Sequence, residues 1–139
     1  MLNVLYIQLE TKYELLSFHK MKTTLVIGAS TNTERYSNKC IKLLKEHKIK
    51  TYAIGNKAGT AYKVDIETGF PHYTDINTVA IYLSAKNQKG YYDYIISLQP
   101  QRILFPPGTE NPELEKIAED NHIEVVHGCT LVMLSTHQY

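Results

Sequence analysis

The sequence carries no strong charge of either sign. Fifteen Lys and Arg stand against fourteen Asp and Glu, for a formal net charge of +1. No cluster of Lys or Arg occurs, so there is no field of the kind that draws nucleic acid or an anionic membrane. Long apolar runs are also missing, and no stretch approaches the roughly 20 residues that a membrane-spanning helix requires. Cysteine is scarce: Cys40 and Cys129 are the two present. They are too few for a disulfide framework and lack the spacing of a zinc site. Their isolation fits reduced thiols, and the expected compartment is cytoplasmic. Six histidines lie singly along the chain, at 19, 47, 72, 122, 127 and 137, with no His-x-x-x-His pair, so no metal site is expected. Repeats and low-complexity tracts are lacking, and 139 residues suit one domain with a real core.

What is present begins with a segment unlike the rest. In residues 1–20 the apolar positions Leu2, Val4, Leu5, Ile7 and Leu9 are interrupted by Asn3, Gln8 and Glu10. An early positive charge, an unbroken apolar run and a small-residue cleavage site, which a secretory signal needs, are not found there. Met21-Lys22 stands directly before the first predicted strand. Residues 1–20 are therefore read as an extension, an over-called start in preference to a short appended segment, and the domain as residues 21–139.

The stretch Thr23–His47 organises the domain. Leu25-Val26-Ile27 is a short apolar run that stops at Gly28-Ala29-Ser30. A polar loop follows, then Cys40, Ile41 and Leu44 at helical spacing. This is strand, tight turn, helix. Gly28 permits a sharp turn and leaves no side chain between the backbone and a ligand. Free backbone N–H groups at a helix start, with Ser30, Thr31, Asn32 and Ser37 around them, make a phosphate site. A branched residue at 28 is expected to abolish binding while leaving the fold intact. The plain alternative is a strand–helix turn of any α/β protein, because a complete Gly-x-Gly-x-x-Gly is absent.

Further along, Lys50–Ile54 reads as a second strand, stopped by Gly55-Asn56-Lys57. The dinucleotide-binding fold that uses NAD places an acidic residue here for the ribose hydroxyls. Asn56-Lys57 suits an adenosine with an extra phosphate better than a free diol. Ala58–Asp75 reads as a connection with little regular structure, despite the alternation Tyr62, Val64, Ile66. Thr78–Leu83 is a third strand and Asn87–Leu98 a helix weakened by Gly90. Arg102–Phe105 is a fourth strand, leading to Pro107-Gly108. Asn111 is an expected N-cap with Pro112 at the first helical position, and Asn121 an expected left-handed stop. Glu124–Val126 is a fifth strand, and Leu131–Leu134 a short last helix. Five strands alternating with four helical segments predict a parallel sheet with helices on both faces. The expected order is 3-2-1-4-5, with a ligand over the carboxyl ends of the strands where the order reverses.

Taken together, five motifs give residues 22–139 a resemblance to a known family. They are Val26-Ile27-Gly28-Ala29-Ser30 with Ser37, then Ile54-Gly55-Asn56-Lys57, and Tyr91-Tyr92-Asp93-Tyr94-Ile95. Pro107-Gly108-Thr109-Glu110-Asn111-Pro112 and Cys129-Thr130-Leu131-Val132-Met133-Leu134 complete the set. The chain resembles the stand-alone CoA-binding proteins, relatives of the CoA-binding domain of the succinyl-CoA synthetase α subunit. The resemblance implies a single Rossmann-like three-layer α/β domain that binds coenzyme A or an acyl-CoA. It implies that Gly28, Ala29, Ser30 and Ser37 lie against the diphosphate, and Asn56 and Lys57 near the 3′-phosphorylated ribose. Pro107 and Gly108 would border the cleft from the fourth strand. The sequence departs from the family at Lys48, where a helix-ending Gly is usual, and at Lys63 and Asp65, which replace Gly and Pro. Pro106 stands where Asn is usual.

A binding protein without a complete catalytic apparatus is the favoured expectation over an enzyme, with a CoA-type molecule as its partner. No nucleic acid, membrane or metal is expected, and a protein partner or homo-oligomer is left open. Two alternatives remain at this point. One is an NADP-dependent oxidoreductase, with Lys57 on the 2′-phosphate but without a visible Tyr-x-x-x-Lys pair. The other is a CoA-responsive regulatory interaction module. Cys129, between the fifth strand and the last helix, is read as a small buried hydrophobe in preference to a thiol facing the ligand.

Overall fold

A computed structural model describes residues 22–139. The expectation for residues 1–20 lies outside the described residues. Among the described residues seven strands form one sheet: β1 (Thr24–Ile27), β2 (Thr51–Ile54), β3 (Gly59–Ala61), β4 (Val64–Glu67), β5 (Thr78–Ile81), β6 (Arg102–Phe105) and β7 (Glu124–His127). Their order is β3-β4-β2-β1-β5-β6-β7. All neighbours run parallel except the short β3–β4 hairpin. The helices are α1 (Tyr36–Glu46), α2 (Ala85–Gln88), α3 (Tyr92–Ser97), α4 (Pro112–Asp120) and α5 (Thr130–Ser135), with a 3-10 turn at Lys89–Tyr91 between α2 and α3. The chain has a Rossmann-like α/β fold.

The five-stranded sheet in order 3-2-1-4-5 is corrected. The expected third strand, at residue 78, is not at the edge beyond β2. It pairs with β1, Thr24 opposite Thr78 and Ile27 opposite Ile81. The edge position is taken by Val64–Glu67, which pairs with β2 in parallel. That segment reads as loop in sequence because it is short and lies among Gly and charged residues. Its alternation is nevertheless that of a half-covered strand, with Val64 and Ile66 buried and Asp65 and Glu67 exposed. Tyr62 and Lys63 close the hairpin with φ of 52° and 66°. Lys63 thus occupies a left-handed turn position that costs a non-glycine residue something.

Alternation along β1 builds both halves of the core. Leu25 and Ile27 join Ile54, Val79, Ile81, Ile103, Phe105 and Leu114 on one face, covered by α3 and α4. Val26 joins Ala53, Cys40, Ile41, Leu44, Ile66 and Leu134 on the other, covered by α1 and α5. Strands β1, β5 and β6 are buried along their whole length, as central parallel strands should be. Two helix ends differ in detail from expectation. Lys48 does go left-handed after α1, at φ 59°. The left-handed residue after α4 is His122, at φ 60°, while Asn121 keeps a negative φ. Asn111 caps α4 as expected, accepting from the Leu114 N–H at 3.3 Å, with Pro112 at the helix start. The helix expected over Asn87–Leu98 is broken at Gly90 into two short helices and a 3-10 turn, which still turn Tyr91, Tyr94, Ile95 and Leu98 toward the core.

Candidate functional site

The chain leaves each central strand at its carboxyl end through a polar loop, and these loops surround one cleft of about 1150 Å³. Gly28–Thr31 follow β1, Gly55–Lys57 follow β2, Tyr82–Ser84 follow β5, Pro106–Thr109 follow β6 and Cys129 follows β7. The cleft therefore lies over the reversal of strand order at β1 and β5, where doubly wound sheets hold their ligands. Gly28, Ala29, Ser30, Ser37, Asn56, Lys57, Pro107 and Gly108, all expected at the site from sequence, line it together.

The glycines act differently from the sequence expectation. Gly28 has φ 91°, and a Cβ there would meet the Tyr82 carbonyl oxygen at 2.5 Å. The missing side chain is demanded by the adjoining loop backbone and not by the cleft. Its N–H and that of Ala29 both donate to the Ile54 carbonyl, each at 2.9 Å. Neither amide is therefore aimed at a ligand, and the expectation of a Gly28 substitution that spares the fold is corrected. Gly55 is as constrained: a Cβ would lie 2.3 Å from the Ala29 oxygen. Together the two glycines let the β1, β2 and β5 loops touch. Gly108 needs its positive φ of 89° alone, since nothing crowds a Cβ there.

The donors that face the cleft come later in the loop. Ser30 Oγ accepts from the Asn32 N–H at 3.0 Å, which leaves its O–H to donate outward. Helix α1 starts at Tyr36 with Arg35 as N-cap and no side-chain cap. The first-turn N–H groups of Tyr36 and Ser37 precede any intrahelical acceptor, and both residues line the cleft. A helix of eleven residues adds the positive end of its dipole there. Asn38, buried behind the loop, holds this geometry. Its Nδ2 donates to the Ser30 carbonyl at 2.9 Å, and its Oδ1 accepts from the Tyr62 hydroxyl at 2.8 Å. The left-handed hairpin at Tyr62 thereby braces the loop.

Several lining residues were not among the expected site residues: Arg35, Tyr36, Ser84, Asn87, Tyr91 and Leu131, the last two standing in the motifs of the resemblance. Arg35 was legible in principle, as a cation two residues before Ser37. Tyr36 opens α1 beside Ser37, while Ser84, Asn87, Tyr91 and Leu131 come from the β5 loop, α2, the 3-10 turn and α5, whose positions depend on the sheet order. Cys129 is half-buried at the N-cap of α5 and lines the cleft, so the expectation of a buried packing residue is corrected. Cys40 is fully buried on α1, and burial pushes its thiol up to about 12. Burial likewise pushes the Tyr82 phenol up and keeps it protonated. Among the described residues no group of three or more potential metal ligands occurs, and no helix is long and apolar enough to cross a membrane.

A doubly wound, mostly parallel sheet with a polar, glycine-lined cleft at its reversal defines a Rossmann-like α/β domain. The family model of the CoA binding domain matches residues 22–135, and the chain belongs to that family. No curated protein matches it. A crystal structure of an uncharacterized protein is 43% identical, with a TM-score of 0.83, covering 86% of this chain and 98% of that one. A hypothetical protein from Pyrococcus horikoshii OT3 is 24% identical at a TM-score of 0.75, covering 93% and 90%. A protein from Thermus thermophilus is 17% identical at 0.77, covering 91% and 98%. The last two are similar in fold.

Proposed function

We propose that this chain binds coenzyme A, free or acylated, in the cleft above β1 and β5, as a cytoplasmic ligand-binding protein without a complete catalytic apparatus. The observation that carries the reading is the convergence of Ser30, Ser37, Asn56, Lys57 and Pro107 on one cleft, in a chain of the CoA binding domain family. This reading gives the ligand a direction along the strand order. Lys57 over β2 takes the 3′-phosphate, and the Ser30 loop and the start of α1 take the diphosphate. The pantetheine arm then runs over β5 and β6 toward Cys129. Gly28 and Ala29 act by shaping the loop, because their amides are already bonded to Ile54.

Calorimetric titration with CoA, dephospho-CoA, NADP and NAD tests this. CoA is expected to bind more tightly than dephospho-CoA, with both dinucleotides weak. Preference for NADP over CoA would overturn the assignment in favour of a dinucleotide site. Mass spectrometry of the ligand that survives native purification identifies any acyl group directly.

A further inference from the structure

One buried side chain ties together two walls of the cleft that are far apart in sequence. Gln88, the last residue of α2, is 1% exposed. Its Nε2 donates to the Leu83 carbonyl at 2.8 Å and to the Thr109 carbonyl at 2.7 Å. Its Oε1 accepts from Asn111 Nδ2 at 2.9 Å. Leu83 lines the cleft from the loop after β5, and Thr109 from the loop after β6. Gln88 itself does not line it.

The amide is therefore a crosspiece between two loops, and its far end is fixed as well. Asn111 Nδ2 also donates to the Tyr92 hydroxyl at 2.8 Å, while Asn111 Oδ1 caps α4. The β6 loop holds its own shape, since the Thr109 hydroxyl donates to the Pro106 carbonyl at 2.6 Å. The β6 loop is thus held by its own bonds, and its separation from the β5 loop is set where Gln88 joins them. A buried, fully bonded amide resists displacement, because moving either loop strands a polar group away from water.

We propose that Gln88 is a positioning residue that fixes the width of the cleft between the β5 and β6 loops, and with it the fit of the pantetheine arm. This rests on the CoA reading given above. On that reading the adenosine and diphosphate lie over β2 and β1, and the hydrogen bonds of Gln88 go to the β5 and β6 loops and to Asn111 instead. A ligand that ends at the diphosphate should be indifferent to it.

The test is calorimetric titration of wild type, Gln88→Met and Gln88→Glu with two ligands: CoA, and adenosine 3′-phosphate 5′-diphosphate, which lacks the arm. Gln88→Met keeps the side-chain length and removes every hydrogen bond. Gln88→Glu keeps an acceptor for Asn111 and loses both donors. Both are expected to weaken CoA by roughly tenfold while changing the truncated ligand by less than about twofold, because the walls are no longer preorganised for the arm. Circular dichroism selects the variants that fold. Equal loss for both ligands, no loss for either, or unfolding of both variants would assign Gln88 to stability alone and overturn the proposal. Failure of the wild type to bind CoA would instead overturn the reading on which it rests.

Discussion

The two ends of the same strands are built for opposite purposes. At the amino end Thr24, Thr78 and Arg102 stand side by side in register across β1, β5 and β6. They close on one another and on the last residue. Arg102 Nε donates to Thr78 Oγ1 at 2.8 Å, and its guanidinium lies 4.4 Å from the Tyr139 ring centroid. The Tyr139 hydroxyl is hydrogen-bonded to Thr24 Oγ1. At the carboxyl edge of the sheet Ser30, Ser37 and Asn56 line open space. One end spends its hydrogen bonds on the fold, and the other keeps donors for a ligand. Parallel strands impose this division, since every crossover returns the helix start to the carboxyl edge.

Substitutions can break the contrast. The largest effect is expected from Gly28→Val, because it strikes the seam that forms the cleft floor. Positive φ and collision with the Tyr82 carbonyl should cost roughly 3 kcal/mol or more in urea unfolding. A folded variant of unchanged stability would show that the Tyr82 loop yields. Tyr139→Ala should act at the amino end alone. Loss of its ring from Arg102 and of its hydroxyl from Thr24 is expected to cost about 2 kcal/mol. CoA affinity should be unchanged, and a parallel loss of affinity would join the two ends energetically.

Lys57→Glu should do the reverse. Stability should hold, because Lys57 is exposed, while CoA affinity falls by about tenfold and dephospho-CoA affinity by much less. The difference should shrink at high salt. Equal weakening of both ligands would remove Lys57 from the 3′-phosphate. The smallest effect is a labelling contrast between the thiols. Iodoacetamide should modify Cys129 in the native protein and spare Cys40, which is fully buried with its thiol pushed up to about 12. CoA should slow the reaction at Cys129 severalfold, and full labelling speed in its presence would place the arm elsewhere. The raised Cys40 value adds a sign for pH. The native state holds that proton more tightly than the unfolded chain, so stability falls as pH rises from about 9 towards about 12, and Cys40→Ala should flatten the fall.

Much of the site was legible because it is carried by local chemistry. A strand ending at Gly28, a hydroxyl-rich turn and a helix stripe at Cys40, Ile41 and Leu44 all lie within one short stretch. Asn111-Pro112 announces a helix start without help from the rest of the chain. Val64–Glu67 was not legible in this way. Its four residues are held as a strand between the parallel edge that Ala53 and Ile54 offer and the hairpin partner Gly59–Ala61. Missing it moved the strand at Thr78 to the outer edge beyond β2 in the expected order, when it lies on the other side of β1. The role of Gly28 was misjudged for a related reason. Nothing near it in sequence reveals that the Tyr82 carbonyl lies in the direction of its absent Cβ.

By itself the sequence determined the alternation of strand and helix, the residues that gather at the strand ends, and membership of the CoA binding domain family. Patterns of apolar spacing, caps and glycine turns act over a few residues and can be read one after another. Tertiary structure alone decided which strand lies beside which, that the Gly28 and Ala29 amides are consumed by Ile54, and that Gln88 bridges Leu83 to Thr109. Those outcomes depend on residues distant in sequence meeting in space, and pairing of that kind leaves no periodic mark on the chain.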